Sequence, residues 1–210
     1  RKEEIMKKRI GIMGGTFDPI HIGHLILAEK AYEELDLDEV WFMPSGNPPH
    51  KQNRAGRASD KQRVEMVRRA IADNPHFRLS TEEMHPEGYT YTYETLERLH
   101  EKYPDYIYYF IIGADSLYDF DMWRRPDRIC KAASLLVATR NDVPEESLKK
   151  KMAYLEEKYQ GEFILLHTPN LEISSQTLRD WIREGKTVRY YLVDKVCDYI
   201  RDEGIYRTES

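Results

Sequence analysis

Two histidines three positions apart close the segment Gly14-Gly15-Thr16-Phe17-Asp18-Pro19-Ile20-His21-Ile22-Gly23-His24. Paired glycines let the backbone turn sharply and present its N–H groups. A helix that begins just beyond them directs its positive end at the same place, as an anion site requires. At this spacing the imidazoles of His21 and His24 share one face of the helix start, and Gly23 between them lets a ligand come close to the backbone. Phosphoryl chemistry asks the protein for position and electrostatic stabilisation more than for covalent work. Two imidazoles over a helix start suit a phosphate whose charge grows during transfer. A plainer reading has both histidines capping the helix, and a metal reading is weak without a third ligand.

Near the other end of the chain, Ile173-Ser174-Ser175-Gln176-Thr177-Leu178-Arg179 stands at the start of a second predicted helix. Serines there can cap the helix and leave further N–H groups for a phosphate. Arg179, one turn in, offers a planar fork that matches phosphate geometry. Taken alone, Ser-Ser before a helix is as readily just a cap.

These residues must be held by strands and helices, and the apolar pattern says which. Apolar runs at Arg9–Gly14, Val40–Pro44, Phe77–Ser80, Ile107–Ile112, Leu135–Ala138 and Phe163–Leu166 read as strands. Between and after them, helical periodicity covers Gly23–Leu35, Asp60–Asp73, Thr92–Lys102, Pro144–Tyr159, Ser175–Glu184 and Val193–Glu203. Strands alternating with helices imply an α/β fold, a Rossmann-like doubly wound parallel sheet with a small C-terminal helical part. Such sheets bind ligands beyond the carboxyl ends of their strands. A loop from Ser45 to Ser59 is of a length that often forms a lid or binding loop. Residues 1–8 read as an N-terminal extension or tag remnant, and 9–210 as a single domain.

The 32 Lys and Arg against 37 Asp and Glu leave a net charge of -5. That balance argues against a dedicated nucleic-acid binder. Cys130 and Cys197 lack the spacing of a zinc site or disulfide framework, which fits a reducing cytoplasm. No apolar run approaches the ~20 residues a membrane helix needs, and the charged N-terminus lacks the apolar core of a signal peptide.

Gly14 to His24 resembles the phosphate-binding signature of the nucleotidyltransferase superfamily, in the form found in bacterial nicotinate-nucleotide adenylyltransferases. The four-residue His-x-Gly-His core also occurs in class I aminoacyl-tRNA synthetases, but those need a lysine-containing KMSKS loop that this chain lacks. The resemblance implies a nucleotidyltransferase fold and an ATP site of Gly14, Gly15, Thr16, Phe17, His21 and His24. Ile173 to Arg179 resembles the ISSTxIR motif of the same family, which contacts ATP. Gln176 removes one hydroxyl of that motif, so Ser174, Ser175 and Arg179 carry over and Gln176 does not. Gly113-Ala114-Asp115 resembles the family's GAD motif, in which Gly113 and Asp115 would serve ATP, although Asp115 could instead cap the next helix.

The acceptor side rests on the same resemblance. Tyr91-Thr92-Tyr93-Glu94-Thr95 is similar to the S-Y-T-x-D-T stretch of the nicotinate-specific branch, with Glu94 for aspartate. It implies that Tyr91, Thr92 and neighbouring N–H groups hold the pyridine carboxylate. Trp123 matches a tryptophan that stacks on the pyridine ring. Pro48-Pro49-His50-Lys51 resembles the family's PPHK, and Lys51 would clamp phosphates from a closing loop. The resemblance implies adenylyl transfer from ATP to nicotinate mononucleotide, with Thr16 and Lys51 also touching the acceptor. His21, His24 and Lys51 would be the catalytic residues. Mg²⁺ would be bound mainly through the ATP phosphates rather than by a carboxylate cage. No nucleic-acid or membrane partner is implied, and a homodimer is compatible. The rival readings are an adenylyltransferase or cytidylyltransferase for another acceptor such as pantetheine phosphate, and a nucleotide-binding regulator without catalysis.

Overall fold

Six short apolar runs form one sheet whose strand order reverses beside the first of them. The computed structural model describes residues 7–46, 56–85, 90–169 and 171–207. Its strands are β1 (Lys8–Gly15), β2 (Glu39–Pro44), β3 (Phe77–Leu79), β4 (Tyr106–Gly113), β5 (Ser134–Ala138) and β6 (Phe163–Leu166). Their spatial order is β3-β2-β1-β4-β5-β6. Parallel pairing sets Ile10 against Tyr108, Phe110 against Leu135, and Leu136 against Ile164. This is the doubly wound arrangement that the alternation of elements predicts. Parallel strands are covered on both faces, so they read as continuous apolar runs rather than as alternating ones. β2 is accordingly buried at every position, and so are Ile10, Ile12, Ile111, Ile112, Leu135, Leu136 and Val137.

The helices are α1 (Ile22–Glu34), α2 (Asp60–Ile71), α3 (Thr92–Lys102), α4 (Ala114–Tyr118), α5 (Pro126–Ala132), α6 (Glu145–Tyr159), α7 (Ser175–Arg183) and α8 (Asp194–Glu203). The last two form the C-terminal helical part. Periodicity missed α4, α5 and the 3₁₀ turn at Phe120–Met122, because each is too short to show a repeat of 3.6. The proline that opens α5 was the available signal, since Pro126 fits the first helical position. Residues 1–6, most of the expected N-terminal extension, lie outside the described residues, as does Pro48-Pro49-His50-Lys51.

The chain divides into two compact units, and the expected site residues fall into both. One unit comprises Arg1–Met13, Ala28–Trp41 and Tyr91–Asn170; the other comprises Gly14–Leu27, Phe42–Thr90 and Leu171–Ser210. In the first, the Trp41 indole meets the rings of Tyr103, Tyr106 and Tyr108 edge-on and donates its N–H to Glu39 at 2.8 Å. The Tyr108 hydroxyl donates to the Leu99 carbonyl (3.1 Å) and His100 Nε2 to that of Ala132 (2.7 Å), tying α3 to β4 and α5. In the second unit, Ser59 and Gln62 form a reciprocal capping box that starts α2.

Candidate active site

The two histidines sit where β1 gives way to α1, and the backbone decides which ring nitrogen carries the proton. The Gly23 N–H donates to His21 Nδ1 at 3.1 Å, and the His21 N–H donates to His24 Nδ1 at 3.1 Å. A neutral imidazole that accepts at Nδ1 must hold its proton on Nε2. Burial lowers the His21 pKa to about 4. Burial, and then the neighbouring His21, hold His24 well below the ordinary imidazole value. Both rings are therefore neutral at pH 7, stacked with centroids 3.8 Å apart, and each offers an Nε2–H donor. The capping and phosphate readings are thus compatible, since Nδ1 satisfies a backbone amide while Nε2–H remains as a donor. The first-turn amides of α1 are already used: Ile22 donates to the Tyr191 carbonyl (2.9 Å) and His24 to that of His21 (3.1 Å). What this helix start presents is imidazole N–H.

Gly23 is required for this arrangement. A Cβ there would lie 2.9 Å from both Cε1 and Nδ1 of His21, closer than real contacts allow. Phe17 has φ of +51°, a region disfavoured for a bulky residue. Its buried ring packs edge-on to His24 (5.0 Å) and tilted against Phe42 (5.9 Å), contacts that hold the backbone in this conformation.

The loop before the histidines is gripped by side chains of two helices. Arg63, fully buried on α2, donates to the Thr16 carbonyl at 2.7 Å and to Asp60 at 2.7 Å. Arg179 of α7 donates to the Asp18 carbonyl at 2.6 Å, and the Ser175 hydroxyl to that of Pro19 at 2.9 Å. Burial, and then the nearby Arg57, pull the Arg179 pKa down. Ser174 caps α7 by accepting from the Thr177 N–H (3.4 Å). Within this unit the structure brings together Gly14, Gly15, Thr16, Phe17, His21, His24, Ser174, Ser175 and Arg179. Thr16 is exposed, and Gly14 and Gly15 are half-buried. Lys51 lies outside the described residues.

The other unit carries Tyr91, Thr92, Gly113, Asp115 and Trp123. Tyr91 and Thr92 open α3, which has no side-chain cap. Arg124 lies over the Tyr91 ring at 4.9 Å and donates to its hydroxyl at 3.1 Å. The half-buried Trp123 packs against Phe120 (5.4 Å) and edge-on to Phe110 (6.1 Å). The turn just before it is fixed through Asp121, which accepts from Lys151 (3.0 Å), Lys158 (2.9 Å) and Tyr159 (2.5 Å). Gly113 stands at the N-cap position of α4 with extended backbone. Asp115 does not cap that helix; its carboxylate accepts from Arg140 at 2.7 Å, and Arg140 also grips Asp142. Among the described residues no group of three or more His, Cys, Asp or Glu is gathered as if to hold a metal.

The cytidylyltransferase-like family model matches residues 12–180. A relative from Lachnoclostridium phytofermentans, named a probable nicotinate-nucleotide adenylyltransferase, is 43% identical over 199 residues, 95% of this chain and 99% of its own. The chain belongs to the nicotinate-nucleotide adenylyltransferase family. A second relative of that name, from Desulfitobacterium hafniense strain Y51, is 44% identical over 202 residues, 95% of this chain and 96% of its own. The fold matches nicotinic acid mononucleotide adenylyltransferase of Plasmodium falciparum complexed with NaAD. That match has a TM-score of 0.77 and 24% identity, and it covers 95% of this chain and 97% of the other.

For this member of the adenylyltransferase family, sequence reasoning missed the residues that hold the signature loop. Arg57 and Tyr206 hold the loop through the Asp18 carboxylate, and Arg63 through the Thr16 carbonyl, by buried or half-buried polar contacts. One signal was available for Arg63: an arginine on the apolar face of α2, beside the buried Met66 and Val67. Arg57 and Tyr206 carry no such mark.

Proposed function

We propose that this chain transfers the adenylyl group of ATP to nicotinate mononucleotide, giving deamido-NAD and pyrophosphate. The observation that carries the reading is the pair of neutral imidazoles whose Nε2–H donors are fixed by backbone amides on Nδ1. An oxygen of the acceptor's phosphate attacks the α-phosphorus of ATP in line. The bond from that phosphorus to the bridging oxygen breaks, and pyrophosphate leaves with the bond's electrons. No covalent enzyme intermediate is needed. His21 and His24 donate to phosphate oxygens as charge builds, and donors placed before the reaction need no reorganisation while it occurs. Lys51 adds a cation to the same phosphates.

Gly14, Gly15, Thr16 and Phe17 supply backbone contacts to ATP, joined within the same unit by Ser174, Ser175 and Arg179. For Gly113 and Asp115, in the other unit, an ATP role rests on the resemblance to the family's GAD motif alone. Ser175 and Arg179 also shape the loop through the Pro19 and Asp18 carbonyls. Tyr91, Thr92 and Trp123 take the pyridine nucleotide, the uncapped start of α3 favouring its carboxylate. Mg²⁺ enters as part of the substrate, on the ATP phosphates.

The test is pyrophosphate release with ATP and Mg²⁺, offering nicotinate mononucleotide and nicotinamide mononucleotide in parallel. Release with the acid alone is the expected outcome. Equal release with both would remove carboxylate selection from the reading. Failure with both, and release with pantetheine phosphate, would overturn the acceptor.

A further inference from the structure

Asp18 lies three residues before His21 in the signature loop, yet the partners of its carboxylate come from distant parts of the chain. Oδ1 accepts from the Ala58 N–H at 3.1 Å and from the Tyr206 hydroxyl, while Arg57 stands 3.5 Å from Oδ2. Asp18 is 3% exposed and Tyr206 5%. A carboxylate this far from water depends on protein donors to meet its lone pairs.

The end of α8 is built to deliver that phenol. Gly204 takes φ of +62°, its N–H donates to the Arg201 carbonyl (3.2 Å), and the Ile205 N–H donates to that of Ile200 (3.0 Å). The pair of bonds is a Schellman motif, which turns the chain back across the helix end. Ile205, the next residue, is buried. Tyr206 follows with φ of +67°, a conformation that costs a non-glycine residue energy and persists only where surrounding contacts impose it. Its hydroxyl also lies 4.0 Å from Met66 Sδ on α2. Burial and the adjacent Asp18 keep the phenol protonated far above its ordinary range, so it serves as a donor at any working pH.

We propose that Tyr206 is a positioning residue for adenylyl transfer: the C-terminal segment is a clasp whose phenol holds the Asp18 carboxylate and thereby the turn that aims His21 and His24. The carbonyls of Thr16, Asp18 and Pro19 are gripped by Arg63, Arg179 and Ser175, and Tyr206 adds an anchor on the Asp18 side chain. Without its hydroxyl, Asp18 Oδ1 keeps one backbone donor, and the turn relaxes while the fold remains.

The proposal rests on the adenylyl-transfer reading above, and Tyr206→Phe in the full chain tests it. Turnover should fall about 10-fold or more with KM for ATP changed by less than about two-fold, because a misplaced donor costs transition-state stabilisation rather than ground-state binding. Val196→Ala, which loosens the buried face of α8 without touching Asp18, controls for stability and should keep wild-type turnover below its unfolding temperature. In the ligand-free protein, ¹⁵N imidazole spectra should show both histidines as Nε2–H tautomers, and their resonances should move in Tyr206→Phe. Because the hydroxyl acts through the carboxylate, Tyr206→Phe should add little in an Asp18→Ala background, where no side-chain oxygen is left to accept from it. Wild-type turnover with unmoved imidazole resonances in Tyr206→Phe, or multiplying effects in the double variant, would overturn the clasp. If the wild-type chain itself released no pyrophosphate, the functional reading would fail, and the imidazole spectra would still decide the clasp.

Discussion

A histidine pair can bind a phosphate as imidazolium or as neutral donors, and here the surrounding contacts select the second. Each Nδ1 is occupied by a backbone N–H, and burial depresses both pKa values, so the useful proton is on Nε2. His24→Asn keeps an acceptor where Nδ1 stood and loses the Nε2–H. Pyrophosphate release should then fall by about 10²–10³, the usual loss for one preorganised donor. The thermal midpoint should change little. His24→Gln, which restores an N–H near the lost position, should recover part of the rate. Unchanged turnover in His24→Asn would remove His24 from the chemistry. The spacing of the histidines indicated a shared face, but tautomer and protonation depend on which amide reaches which nitrogen.

At the scale of the element, α1 starts in a way that local propensity alone would not choose. Glycine inside a helix costs up to ~1 kcal/mol relative to alanine. Propensity by itself therefore predicts that Gly23→Ala stabilises the protein. The clash with the His21 ring decides otherwise, because the Cβ would meet it at 2.9 Å. The substitution should lower turnover about 10-fold or more and leave the urea midpoint unraised. A variant both more stable and fully active would show that His21 can move aside without consequence. The elements themselves were largely legible, because β4 and β2 from Val40 onward are apolar runs and α2 carries its own capping box. The segment from Ala114 to Ala132 was not, since two short helices and a 3₁₀ turn leave no periodic signal.

Across the whole molecule, the buried neutral histidines link stability to pH. In the unfolded chain His21 titrates near 6.5; in the folded one its pKa is lowered to about 4. Between those values the unfolded state binds more protons, so stability falls as the pH drops through that window. His24, held well below its ordinary value, contributes in the same direction. For His21 alone the loss from pH 7 to 4.5 is about 2–3 kcal/mol. Urea unfolding at the two pH values should show a loss smaller by roughly that amount in His21→Asn. An equal loss in both proteins would mean that His21 is solvated in the folded state. The -5 net charge is a property of the whole chain and does not predict this effect. No helix among the described residues is long and apolar enough to cross a membrane.

The sequence by itself determined the alternation of strands and helices, the glycine turn with its two histidines, and the serine start of α7. Each of these is local, carried by a run, a spacing or a cap that neighbouring residues complete. The order β3-β2-β1-β4-β5-β6 needed only the further rule that such alternation winds both ways from its first strand. Tertiary structure alone decided that Arg179 would bond the Asp18 carbonyl 161 residues away and that Tyr206 would reach the Asp18 carboxylate from 188 away. Buried polar groups find partners wherever the packed chain brings a donor within reach. No spacing in the sequence records which distant donor that is.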